Sequence, residues 1–266
     1  MNKPNSAPDT VAILLEACDS GATIAARSCP RPTSLADAEA IQARINAIRQ
    51  ARGERRLGYK IGFTNRSIWP VYNVHHPIWA PIWDSTLTLL DGTQAEVRVA
   101  RFTQPRLEPE IVFRLARSPS SAEPDEVFGA IEWIAHGFEV VQCPYPDWKF
   151  DAAQAIAAQS LHGALLVGPP HAQSIVPGWQ ALASVELSLD CDGRPVARGA
   201  ARLVLDNPLL ALCHLVAELE RRGDRIAPGD IVTTGTLTDA QPLAPGQRWE
   251  TRLSGIDLPG LVLSTR

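Results

Sequence analysis

Gln104-Pro105-Arg106-Leu107-Glu108-Pro109-Glu110-Ile111-Val112-Phe113 decides the fold, because it reads as an extended segment with acids on one face and apolar groups on the other. Successive side chains of a strand point to opposite faces, so Glu108 and Glu110 share one side while Leu107, Pro109, Ile111 and Phe113 share the other. Two acids on a half-exposed strand are ordinarily its solvated side. Glu139 shifts that balance: it stands in Phe138-Glu139-Val140-Val141, a run apolar on both faces, where an unpaired carboxylate is costly. Three acids in strands of this kind call for a cation. Oxygen-only ligands favour Mg2+ or Mn2+ over zinc.

Outward from that segment the chain changes character at about residue 57. Gly58-Tyr59-Lys60-Ile61-Gly62-Phe63-Thr64 is expected as a strand between glycines. Residues 69–83 hold Pro70, Pro77 and Pro81 and are expected as a long irregular loop, serving either as a lid or as a tryptophan plug at a core edge. Residues 124–136 are expected to be helical, with Gly137 restarting the chain as the strand that carries Glu139. A short helix is expected over 151–161. Val185, Leu187, Leu189 and Cys191 alternate into Asp192-Gly193, a hairpin signal. Asn207-Pro208 opens a helix with Leu209, Leu212, Val216 and Leu219 on one side, and strands return from Gly229. On the N-terminal side, Ser34 caps a helix with Leu35, Ala38, Ile41, Ile45 and Ile48 at helical spacing, and an earlier helix near Val11 to Cys18 is expected to pair with it. The expected division is a helical region at 1–56 and a β-rich, metal-binding region at 57–266.

Composition narrows the function classes. With 266 residues and 45% hydrophobic content the chain can bury a core without staples, and its net charge of −4 offers no field for nucleic acid or an anionic membrane. No run approaches the ~20 apolar residues of a membrane span, and the start Met1-Asn2-Lys3-Pro4-Asn5 lacks the apolar core of a signal peptide. Cysteines at 18, 29, 143, 191 and 213 show no Cys-x-x-Cys spacing; free thiols in a reducing cytoplasm are expected. Zinc-hydrolase histidine pairs and phosphate-cradling glycine motifs are missing from the sequence. Small-molecule chemistry is what remains.

Taken together, the Gly58 to Gly62 strand, the Gln104 to Ile111 strand, the Glu139 strand and Gly229-Asp230-Ile231-Val232-Thr233-Thr234-Gly235 resemble the 2-keto-4-pentenoate hydratase family of the fumarylacetoacetate hydrolase superfamily. The likeness runs from about the Ser34 helix to about Glu250. It implies a mixed α/β fold built on a β-rich roll of the fumarylacetoacetate hydrolase C-terminal-domain type. It also implies one divalent metal, Mg2+ or Mn2+, on Glu108, Glu110 and Glu139, with Lys60 beside it. His162 is the expected proton carrier, and Gly62, Leu107, Lys149, Thr234, Gly235 and Thr236 complete the expected substrate-binding set. The implied substrate is a small 2-oxo or 2-hydroxydienoic acid from aromatic breakdown, and the expected assembly is a homo-oligomer that associates with a decarboxylase homologue.

This chain departs from the family in two places. Typical hydratases carry an acid where it has Asn73-Val74-His75-His76-Pro77-Ile78-Trp79, and an Asp-rich stretch where it has Gln154-Ala155-Ile156-Ala157-Ala158-Gln159. With those acids missing, the chain is expected to hydrate slowly, to use His75, His76 or His162 in their place, or to perform a different enolate reaction. Hydration of a 2-hydroxydienoate is the leading expectation. Decarboxylation of a 2-oxo-3-enedioate and hydrolysis of an acylpyruvate share the same metal site, and a non-catalytic hydratase-like partner subunit is the alternative of another class.

Overall fold

The computed structural model describes residues 9–25, 28 and 31–266. Residues 1–5, read above as a polar start, and Cys29 lie outside the described residues. Six α-helices occur among the described residues: α1 (Thr10–Ser20), α2 (Leu35–Ala51), α3 (Trp69–Tyr72), α4 (Pro124–Phe128), α5 (Ala152–Ala157) and α6 (Pro208–Arg221). The first seven strands are β1 (Arg56–Gly62), β2 (Ile78–Trp83), β3 (Leu87–Leu89), β4 (Gln94–Val97), β5 (Arg106–Leu115), β6 (Ile131–Val141) and β7 (His162–Val167). They are followed by β8 (His171–Ala172), β9 (Glu186–Cys191), β10 (Arg194–Ala200), β11 (Ile231–Thr236), β12 (Gln241–Pro242), β13 (Arg248–Ser254) and β14 (Val262–Thr265).

Two sheets result. The larger runs β2-β1-β11-β5-β6-β7-β3, with β12 on β5 and β8 on β6, and the smaller runs β10-β9-β13-β14-β4. β5 lies at the centre of the larger sheet, antiparallel to both β11 and β6. Its apolar face behaves as the alternation requires: Leu107, Ile111 and Phe113 are fully buried, in one core with Phe138 and Val140 of β6, Leu187 and Leu189 of β9, and Leu209, Leu212 and Val216 of α6. Asn207 caps α6 by accepting from the Leu209 amide, and Pro208 occupies the first turn, where no amide is needed. Ser34 caps α2 in the same way through the Asp37 amide. The α2 stripe of Ala38, Ile41 and Ile45 packs on Val11, Leu14 and Leu15 of α1 and on Tyr145, Ala155 and Ile156. No helix among the described residues is long and apolar enough to cross a membrane.

Two local expectations fail for physical reasons. Residues 78–83 form the regular strand β2 in place of an irregular loop, and Pro81 fits because β2 pairs only with β1 and leaves its other edge free. The helix expected over 124–136 stops at Phe128, and β6 begins at Ile131 and runs through Gly137 without a break. From Ile131 to His136 the sequence alternates at neither clean period, and pairing with β5 along its whole length decides for strand.

Candidate metal centre

The pairing register brings the acids together. Glu108 of β5 lies directly opposite Glu139 of β6, and Glu110 lies opposite Gly137. Like charges directly across a strand pair destabilise it, so the arrangement needs a countercharge. One oxygen from each of Glu108, Glu110 and Glu139 falls within 4.8 Å of the others, a spacing one ion can span.

Each buried carboxylate is anchored by one oxygen and free at the other. Glu110 Oε2 accepts from the Thr233 hydroxyl and from the Gly235 amide at 2.7 Å, while its Oε1 has no partner among the described residues. Glu139 Oε1 accepts from His162 Nδ1 at 2.8 Å and lies 3.5 Å from Lys60 Nζ, while its Oε2 is likewise orphaned. Glu108 is partly exposed and lines a cavity of about 260 Å³. Two orphaned, fully buried carboxylate oxygens beside a third acid fit a hard divalent cation bound through oxygen.

The electrostatics agree. Burial, followed by the charge of Glu139, pushes Glu108 up to about 7 against the pull of Lys60 and Arg106. Burial and both neighbouring acids push Glu110 well above the usual carboxylate range. Burial alone would raise Glu139, but Lys60 and His162 overcome it and hold this group low. Burial likewise opposes the Lys60 charge, and the three acids outweigh it, so Lys60 stays an ammonium. Lys60 acts on all three carboxylates, Arg106 on Glu108 and His162 on Glu139.

Lys60 is fixed from several sides. Its Nζ donates to the Ser160 carbonyl at 2.9 Å, and a Cβ on Gly62 would come within 3.2 Å of it. The Ser160 carbonyl is turned inward by three successive left-handed residues, Gln159, Ser160 and Leu161, with φ of 57°, 49° and 64°. Such conformations cost roughly 1–3 kcal/mol each and collect at functional sites.

The remaining expected residues divide. Gly62, Gly235 and Thr236 line the cavity with Lys60 and Glu108. His162 does not: its Nδ1 faces Glu139 and its Nε2 faces the Thr86 hydroxyl at 3.0 Å. With a carboxylate accepting at Nδ1, the proton sits there and Nε2 accepts from Thr86. Leu107 is fully buried in the core on the opposite face of β5. Thr234 turns its hydroxyl to the Ile111 carbonyl at 2.9 Å inside the sheet. Lys149 is mostly exposed and pairs with Asp147 at 3.8 Å, and its neighbours Trp148 and Phe150 line the cavity in its place. None of these three side chains reaches the cavity. His75 and His76 are exposed and also stand outside it, and Gln154, where the family has acids, closes a capping box with Asp151. Thr233, the Ser160 carbonyl, Tyr72, Arg106 and Trp148 are site features that sequence reading missed. Of these only Arg106 carried a signal, being two residues before Glu108 on the same strand face.

Comparisons with known proteins bear on the family and the fold. Residues 71–258 match the family described as fumarylacetoacetate (FAA) hydrolase C-terminal. The chain is 29% identical over 246 residues to 2-hydroxyhexa-2,4-dienoate hydratase of Comamonas testosteroni, covering 91% of this chain and 92% of that protein. It is 28% identical over 231 residues to a 4-oxalocrotonate decarboxylase of Pseudomonas sp, covering 85% and 87%. Its fold matches that of 4-oxalocrotonate decarboxylase from Pseudomonas putida G7, complexed with magnesium and adipate, with a TM-score of 0.85 at 24% identity over 100% of both chains.

Proposed function

The chain belongs to the fumarylacetoacetate hydrolase C-terminal family, and from that premise we propose that it is a divalent-metal-dependent enzyme that hydrates a 2-hydroxy-2,4-dienoate to a 4-hydroxy-2-oxo acid. The observation that carries the reading is the convergence of Glu108, Glu110 and Glu139, with two orphaned oxygens, where Glu108 opens on a cavity of about 260 Å³. Relatives named as hydratase and decarboxylase support a 2-oxo acid class of substrate, and the magnesium of the structural neighbour supports a hard cation.

In the balanced reaction the enol hydroxyl loses its proton as C5 gains one; water then adds its oxygen to C4 and a proton to C3. Both steps pass through negative charge on the oxygen at C2. Glu108, Glu110 and Glu139 would hold a divalent cation, which would supply Lewis acidity toward a 2-oxo acid when bound. Lys60, held as an ammonium beside them, donates to the developing charge from a fixed position. His162 keeps Glu139 oriented and takes no part at the carbon chain. Tyr72 and Asp239 are the cavity groups left to handle protons near C3 to C5. The aromatic wall of Phe63, Tyr72 and Phe150, stacked at 5.1 and 5.0 Å, suits a flat conjugated chain.

The test is turnover by the purified protein with Mg2+ or Mn2+ on a panel of 2-hydroxydienoates, followed by loss of their ultraviolet absorbance and by product analysis. A 4-hydroxy-2-oxo acid is the expected product. Carbon dioxide release from a 2-oxo-3-enedioate would replace hydration by decarboxylation on the same site, and no turnover of the dienoates by metal-loaded protein would reject hydration.

A further inference from the structure

The cavity contains a second cation with no assigned work. Arg106 lies on the same face of β5 as Glu108 and lines the cavity, yet among the described residues no carboxylate pairs with its guanidinium. Lys60, the other cavity cation, is already engaged by Glu139 and the Ser160 carbonyl. Arg106 instead stacks on Trp148, with Cζ 4.1 Å from the ring centroid. That stacking fixes the plane of the guanidinium and leaves its edge to donate in a fork suited to a carboxylate.

The platform under Arg106 is itself built. Trp148 Nε1 donates to the Gln104 carbonyl at 2.9 Å. Gln104 Nε2 donates to the Cys143 and Tyr145 carbonyls at 2.8 and 2.7 Å, and its Oε1 accepts from the Asp147 amide at 3.0 Å. Gln104, Asp147 and Trp148 all hold left-handed backbones, with φ of 48°, 56° and 57°. A turn strained at three residues and tied by four hydrogen bonds holds one indole in place. The indole in turn holds one unpaired guanidinium over the cavity.

We propose that Arg106, stacked on Trp148, is the specificity-determining residue for the far end of the substrate, selecting a 2-oxo or 2-hydroxydienoic acid with a second carboxylate there over one with a neutral end. The proposal rests on the reading of the site as one for 2-oxo acids. A doubly charge-assisted contact of this kind corresponds to a preference of about 10- to 100-fold.

The experiment is calorimetric titration of the full-length, Mn2+-loaded protein with 2-oxohexanedioate and 2-oxohexanoate, saturated acids that cannot be hydrated and differ only at the far end. The wild type is expected to bind the diacid at least 10-fold more tightly. Arg106→Met should lower diacid affinity to that of the monoacid, with monoacid affinity unchanged within about twofold, and Arg106→Lys should keep part of the preference. Mn2+ affinity of each variant reports that the fold and the three acids are intact. Equal binding of the two acids by the wild type, or a preference surviving in Arg106→Met, overturns the proposal. So does a fall in Mn2+ affinity with selectivity unchanged, which would make Arg106 only a screen for Glu108. Binding of neither acid would instead sink the 2-oxo acid reading and this inference with it, an outcome distinct from the loss of selectivity alone.

Discussion

Glu139 is the residue on which the site turns, since Lys60 and His162 both meet its carboxylate and the strand register sets it opposite Glu108. Lys60 and His162 touch the same oxygen, Oε1, but do different work. His162 is neutral, because burial lowers its pKa despite Glu139, and it orients the carboxylate as a donor behind it. Lys60 faces the cavity and meets charge that develops there. The two single variants are therefore expected to separate. His162→Asn should weaken Mn2+ binding about 10- to 100-fold, as losses of ligand-orienting partners do. Lys60→Met should leave Mn2+ binding within a few-fold while lowering kcat by about 100- to 1,000-fold. Titration of Mn2+ by electron paramagnetic resonance beside steady-state turnover checks the pair. The split is wrong if Lys60→Met loses the metal or His162→Asn loses only turnover.

At the scale of elements, the centre depends on the close approach of β11 to β5 and β1. Gly235 is in a conformation reserved for glycine, with φ of 112°, and a Cβ there would stand 1.9 Å from Thr64 Oγ1. This turn is what presents its amide to Glu110 Oε2. Gly235→Ala is expected to destabilise the protein by about 2–4 kcal/mol and to weaken Mn2+ binding together with it. A glycine farther from the acids, Gly58, is equally close-packed, its added Cβ falling 1.7 Å from the Ile231 carbonyl, so Gly58→Ala should destabilise comparably. Urea unfolding of both variants checks this, and an unchanged midpoint in either would contradict the packing described. Strand alternation made β5 and the face of its acids legible in the sequence, and cap residues made α2 and α6 legible. β2 was hidden because Pro81 forbids a strand only where both edges are paired, and edge position is a property of the sheet. The end of α4 was hidden because Ile131 to His136 becomes strand through its partner β5, which no local pattern records. Leu107 and Thr234 lay within the right motifs, but the pleat sends one into the core and the sheet ties down the other.

For the whole molecule, His136 ties the two sheets together. On β6 of the larger sheet, its Nδ1 donates to the Glu110 carbonyl at 2.9 Å, and its Nε2 meets the Thr251 hydroxyl of β13, in the smaller sheet, at 2.9 Å. Burial lowers its pKa to about 4. A group held neutral in the fold but protonated in the unfolded chain destabilises as pH falls: below about 6.5 the unfolded state takes up the proton first, and stability drains until the folded pKa is reached. The window is therefore pH 6.5 to 4, and the loss is about 3 kcal/mol at ~1.4 kcal/mol per unit. The acids raised in the metal-free site give a slope of opposite sign, so His136→Gln should differ from wild type in pH dependence by this amount in urea unfolding at stepped pH, and parallel slopes in the two proteins would refute the assignment.

If Glu108, Glu110 and Glu139 together grip one hard cation, anomalous diffraction from crystals grown with Mn2+ will locate it. A single manganese peak is expected about 2.1–2.3 Å from one oxygen of each glutamate, contacted by the oxygens now orphaned on Glu110 and Glu139. A pocket without that peak, with the three carboxylates turned apart or paired to other side chains, would contradict it.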